Sequence, residues 1–399
     1  MAQLPDHIPE ILKPRLRLFM SVDVVGSTKL KQPEFLSKQI DWLDILQRFY
    51  GETVEAVQTE WLALRALFPD PATHPDFLGD PPQFWKTVGD EVLYYKDLTD
   101  SRQLALALEC WKKALTRVRT FLYKQNEGAL KDAVPEVKLD VKSAVWTAGF
   151  PWRNKTIVSP SGLLNELCKG DYAEVFQNAH EKAHREPAPG DGTGARVEFD
   201  FIGPGIDIGF RLCGFATVQK MVLSMDAAYI LAAVRGANAF LLPEPLYYDG
   251  RIPLKGVFAG REYPLFWIDN SHPDSFEAKE SRARHPISDT DVLRFCETFY
   301  KEFYNLFTHR PFIVGDHGGL TAIPDDFDRW MGVQVAQYEE RRKEGERRQQ
   351  AEQELTRAGA SRGGGARQPA AIDVNELKQR LTRDIAPQAE DEPEAPKKT

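Results

Sequence analysis

This sequence of 399 residues predicts an α/β domain carrying further C-terminal segments. Three observations lead there. Strand-like and helix-like stretches alternate, two of the helix-like stretches are long and one-faced, and a Gly-Asp pair between short apolar runs reads as a hairpin.

The first strand is Leu16 to Val25 (LRLFMSVDVV), running into Gly26-Ser27-Thr28. Leu36, Ile40, Leu43, Leu46, Tyr50, Val54, Val57 and Trp61 then recur at helical steps and define one apolar face. A Pro-rich loop (FPDPATHPDFLGDPP) stops that helix. Phe84 to Tyr95 reads as two short strands about Gly89-Asp90, and Leu104 to Leu122 as a second helix. Val137 to Trp146 alternates like a strand, and another is expected over Ala195 to Ile202. A helix is expected to begin near Ile206 or Asp207, and Met221 to Leu231 and Leu254 to Ile268 complete the alternation. The aromatic-rich stretch that follows reads as a helical appendage. The domain reading is therefore 1–269 for the main domain, 270–334 for the appendage and 335–399 for a charged tail. That tail could begin as a solvated helix and is expected to end in disorder, having too little apolar surface to offset ordering entropy.

Bulk properties exclude some classes. A hydrophobic content of 42% suits a globular core, and a net charge of −8 argues against a surface built mainly for nucleic acid. Cys110, Cys168, Cys213 and Cys296 form no CxxC pair, so neither a zinc site nor a disulfide framework is indicated. No apolar run approaches the ~20 residues that span a bilayer. A cytoplasmic protein without a membrane partner is expected.

Two acids stand out. Asp23 lies in an otherwise apolar strand, and Asp90 sits at a hairpin tip. Brought together, they would repel unless a cation neutralised them, and Mg²⁺ is held by one or two carboxylates plus phosphate oxygens. Gly26-Ser27-Thr28 offers backbone N–H groups to a phosphate. Taken alone, Asp23 reads as a hydrogen-bonded structural residue of a strand, and Gly89-Asp90 as ordinary turn chemistry.

The motifs taken together resemble a family. Asp23-Val24-Val25-Gly26-Ser27-Thr28 resembles the first metal motif of class III adenylyl and guanylyl cyclases, and Lys86-Thr87-Val88-Gly89-Asp90 their K-x-x-G-D motif. Asp200-Phe201-Ile202-Gly203, with Asp207 and Arg211, resembles their D-x-x-G-x-x-V-N-x-x-x-R segment, and Leu254-Lys255-Gly256 falls where a phosphate-binding Lys is expected. The wording FMSVDVVGST, VGDEVLY and GPGIDIGFRL is similar to the pyrimidine cyclases of bacterial antiphage defence, the Pycsar system.

The resemblance covers roughly residues 15 to 268 and implies a class III cyclase-like α/β (α+β) fold, mainly antiparallel and flanked by helices. It implies two divalent ions, Mg²⁺ or Mn²⁺, on Asp23, Asp90 and the Val24 carbonyl, with Gly26, Ser27, Thr28 and Lys255 on the phosphates. Arg211 would face the transferring phosphate, and Lys86 and Asp200 would read the base edge. Asp207 departs from the family's Asn, and an ionised carboxylate cannot donate a hydrogen bond. The activity implied is conversion of UTP to 3′,5′-cyclic UMP and pyrophosphate, with CTP and then ATP as alternative substrates and a silent nucleotide-binding module as another class. A homodimer sharing its sites, and an effector answering the product, are implied partners. The donor and acceptor of Lys86 and Asp200 do not choose the base; Tyr50 is the candidate for filling a purine's space, and core packing explains it equally well. The acidic balance disfavours a palm-type polymerase, and Val88-Gly89-Asp90-Glu91-Val92 only partly matches a diguanylate cyclase hairpin. A second Gly-Asp, Gly315-Asp316-His317, reads as a loop rather than as a metal site with His309.

Overall fold

The computed structural model describes residues 12–32, 41–68, 78–128, 130–131, 137–158, 199–237, 244–303, 309–316, 319–324 and 326–360. The chain forms two units, Met1–Glu339 and Glu340–Thr399. Of the second, only residues 340–360 are described, the later part of helix α8 (Phe327–Ala360). The expected disorder at residues 361–399 lies outside the described residues.

In the first unit a seven-stranded sheet runs in the order β2-β3-β1-β4-β7-β9-β8. The strands are β1 (Arg15–Val25), β2 (Gln83–Val88), β3 (Glu91–Leu98), β4 (Asp140–Phe150), β7 (Lys220–Leu223), β8 (Leu246–Pro253) and β9 (Glu262–Asp269). Every neighbouring pair is antiparallel except β4–β7. The sheet is thus mainly antiparallel and flanked by helices, as expected. A separate two-stranded sheet joins β5 (Lys155–Val158) to β6 (Phe199–Ile202).

Alternation along β1 decides what covers each face. Leu16, Leu18, Met20, Val22 and Val24 enter the main core, which also takes residues of α2 (Trp42–Ala66) and α3 (Arg102–Glu127). The α2 start is fixed by Asp41, whose carboxylate accepts from the Asp44 N–H at 3.0 Å. Leu36 and Ile40, also assigned to this helix face, lie outside the described residues. Phe19 points to the opposite face, stacked on Trp146 with centroids 5.5 Å apart and joined there by Trp85 and Phe201. Arg17, beside Phe19, places its guanidinium 4.8 Å from the Phe150 and Phe201 ring centres and bonds Asp97 at 2.5 Å.

Helix α4 (Pro204–Cys213) packs on that second face, starting at Pro204. A Cβ on Gly209 would fall 2.2 Å from the Trp146 indole, so only glycine lets the helix settle there. Helix α5 (Met225–Ala237) follows β7. α6 (Phe276–Ala283) and α7 (Asp289–Glu302) come after β9. Val292, Cys296, Phe299 and Tyr300 of α7 are buried in the main core.

One expected strand shifts. The run from Leu254 is interrupted before β9 by a 3-10 turn, Phe258–Gly260. Gly256, Phe258, Ala259 and Gly260 all take positive φ, which an extended strand cannot accommodate. No described helix is long and apolar enough to cross a membrane.

Candidate active site

The two singled-out acids come to the same end of the β1–β3 pair. In the antiparallel β1–β3 register Asp23 faces Glu91, so Asp90, at the turn before β3, stands beside the end of β1. Gly89 makes that turn possible with φ 63°. Gly26, with φ 90°, bends the chain out of β1, and a Cβ there would lie 2.8 Å from the Lys138 carbonyl oxygen. The bend leads into the single turn α1 (Ser27–Leu30), where the buried Ser27 hydroxyl donates to Asp90 Oδ2 and Thr28 is exposed.

Both carboxylates face cations. Lys142 on β4 is the cross-strand neighbour of Asp23, and its Nζ lies 2.9 Å from Asp23 Oδ2. Lys31 Nζ is 3.6 Å from Asp90 Oδ1. Burial alone would lower the Lys142 pKa, but its hydrogen bond to Asp23 and the surrounding negative charge hold it above the ordinary lysine range. Glu91 completes a row across β3, β1 and β4. Burial pushes its carboxyl above the usual range, opposed by bonds to Cys213 and Ser21, and its buried Oε1 has no hydrogen-bond partner. Tyr50 donates to the Gly89 carbonyl at 2.5 Å, and burial and then the Asp90 charge raise its hydroxyl pKa.

The other expected residues form two further groups. Lys86 on β2 and Asp200 on β6 bond each other at 2.7 Å, with the ammonium 4.4 Å from the Trp85 ring centre. Asp207 is exposed in the first turn of α4. Arg211, one turn later, does not turn to it; its Nε donates to the Lys255 carbonyl at 3.0 Å. Lys255 itself is exposed in the turn after β8. Val24 buries its side chain in the core, leaving only its backbone to serve a ligand. Ser21 Oγ and Cys213 Sγ share a hydrogen bond at 3.4 Å, which ties α4 to β1 two residues from Asp23.

These residues suit a two-carboxylate metal site. Each acid already draws an ammonium, and the partnerless Glu91 oxygen adds negative charge in the same row. Among the described residues no three or more His, Cys, Asp or Glu side chains gather for a metal. Mg²⁺ bound partly through substrate phosphates does not require such a group.

Sequence reasoning missed Lys142, Lys31, Glu91 and Cys213. Lys142 lay in the expected strand, but its pairing with β1 is a long-range fact with no local signal. The second Gly-Asp is a structural turn: Asp316 is buried and accepts from the Ser101 and Leu320 N–H groups at 2.8 and 2.7 Å. His309 stacks on Trp152 with centroids 4.3 Å apart, and burial, then Arg153, push its imidazole down to about 4. His317 lies outside the described residues. A cavity of about 70 Å³, lined by Arg15, Phe150, Trp152, Asp226 and His309 among others, opens at the far end of β1, and no expected site residue lines it.

No family model matches this chain, and no curated protein does. Solved structures that resemble it include the adenylyl cyclase CyaB from P. aeruginosa, at 12% identity and a TM-score of 0.39, covering 66% of this chain and 98% of that one. The adenylate/guanylate cyclase/hydrolase from Silicibacter pomeroyi gives 14%, 0.34, 66% and 99% for the same quantities. The guanylate cyclase domain of RhGC from Catenaria anguillulae, in complex with GTP, gives 8%, 0.34, 64% and 97%. Likenesses this loose decide nothing about the chemistry of this chain.

Proposed function

We propose that this chain is a class III-type nucleotide cyclase that converts UTP to 3′,5′-cyclic UMP and pyrophosphate. The observation that carries the reading is the β1–β3 register, which sets Asp90 beside the strand end bearing Asp23. The motif wording around these acids, around Lys86 and Asp200, and around Arg211 supports it. Two divalent ions, Mg²⁺ or Mn²⁺, held by Asp23, Asp90 and the Val24 carbonyl, would lower the pKa of the ribose 3′-hydroxyl and neutralise triphosphate charge.

The chain's own groups supply the rest. Gly26, Ser27 and Thr28 give the phosphates a backbone turn, and Lys255 a mobile positive charge. Arg211 offers a permanent charge to the transferring phosphate, with Asp207 nearby to hold ribose hydroxyls. Lys86 and Asp200, bonded to each other here, exchange that bond for the edge of the base. Tyr50 restricts the space beside the Gly89-Asp90 turn to a single-ring base.

The metal acids would serve one site and Arg211, Lys86 and Asp200 its symmetry mate, in a homodimer with isologous sites. The exposed Phe84 and Val88 of β2 and Ile202 of β6 would lie in that interface. The domain division at residue 269 and a role in antiphage signalling through a cyclic-nucleotide-responsive effector, in the cytoplasm, belong to the same proposal.

Incubation with each of the four triphosphates and Mn²⁺, followed by product mass analysis, tests it. Cyclic UMP is the expected product; cyclic CMP would move the specificity, and no cyclic product from any triphosphate would end the enzyme reading. Mixing Asp23→Ala and Arg211→Ala chains should recover about a quarter of the activity, since half the dimers are mixed and each of those rebuilds one site.

A further inference from the structure

We propose that Lys142 is a resident counter-ion of Asp23 that moves to Glu91 when a divalent ion takes Asp23. This rests on reading Asp23 as a metal ligand, and it assigns roles to two residues outside that reading.

Glu91, Asp23 and Lys142 are successive cross-strand neighbours on β3, β1 and β4, and share one face of the sheet. The row is unevenly satisfied. Lys142 sits on Asp23 at 2.9 Å, whereas the buried Oε1 of Glu91 has no partner. A divalent ion at Asp23 would repel the ammonium and remove its acceptor, leaving a partly buried cation unpaired. The same move that relieves Lys142 also satisfies Glu91. β4 and β3 are two strand spacings apart, about 9.6 Å, a gap that extended Lys and Glu side chains together cover. Ser21 and Cys213, which bond Glu91, keep its carboxylate in the row. Lys31 faces Asp90 rather than Asp23, so it does not substitute for Lys142. Lys142 and Glu91 are thus positioning residues: the first sets the threshold for metal entry, and the second lowers it by offering another seat.

The test is Mn²⁺ binding to the full chain without nucleotide, read from the electron paramagnetic resonance of free Mn²⁺, with the melting temperature of each metal-free variant. Lys142→Met should tighten Mn²⁺ about fivefold, the scale of one partly exposed ion pair, and should lower the metal-free melting temperature. Glu91→Gln should weaken Mn²⁺ roughly threefold on the same scale, but have no effect in the Lys142→Met background. Lys142→Gln, which keeps a polar head, should tighten binding as well and guards against a folding defect in the Met variant. Unchanged or weaker binding in both Lys142 variants would overturn the exchange, as would a Glu91→Gln effect of equal size in both backgrounds. Asp23→Asn separates the two levels: if it binds Mn²⁺ as the wild type does, the metal-ligand reading fails and the exchange with it.

Discussion

The chain uses the Val-Gly-Asp tripeptide twice, at Val88–Asp90 and at Val314–Asp316, and folds both around a glycine of positive φ. The backbone demands are alike, 63° at Gly89 and 79° at Gly315. The carboxylates differ in what surrounds them. Asp316 is buried, and each of its two oxygens accepts from a backbone N–H group, which fixes it as part of the turn. Asp90 is only partly buried and meets the Ser27 hydroxyl and the Lys31 ammonium, at the β1–β3 end that bears Asp23. The tripeptide therefore specifies a turn; long-range strand pairing specifies whether the turn can do chemistry.

Substitutions at the two turns break or sharpen this contrast. The largest effect is expected from Asp90→Ala, which should reduce turnover in the proposed cyclisation by about three orders of magnitude while changing the melting temperature little; steady-state kinetics and calorimetry read the two. Asp316→Ala should do the reverse, costing about 2–4 kcal/mol of stability because buried N–H groups lose their acceptor, measurable by urea unfolding, with turnover per folded molecule preserved. Tyr50, tethered to the first turn only, distinguishes them further. Tyr50→Ala should raise the use of ATP relative to UTP about tenfold, the scale of a reshaped apolar pocket, as read by competition of the two triphosphates. The smallest and most even effect is expected from Gly89→Ala and Gly315→Ala. A Cβ at either position meets nothing within 4 Å. Each should therefore cost about 1 kcal/mol, from backbone strain alone, and a large inequality would show that the turns are not equivalent.

Much of the fold was legible because its elements are long and patterned. β1 is a long and almost continuously buried run, and α3 carries apolar residues at helical steps along its whole length. Short elements were not. Four-residue β5 was not anticipated, because Lys155–Val158 is too brief to show a period and is held by its partner β6. β8 was not anticipated either; it contains Asp249-Gly250, where the β8–β9 register shifts. The motif acids could be found from spacing and wording, whereas their partners could not. Lys142 looks like any polar strand residue until the register sets it against Asp23.

The contact between Gly209 and Trp146 has a mechanical consequence. The indole leaves no clearance beneath α4 and stacks on Phe19, four residues before Asp23 on β1. The helix bearing Arg211 therefore cannot peel away without exposing that aromatic stack to water. Denaturant should release this helix and the strand together, in a single step, with amide hydrogens of both elements exchanging at a common rate.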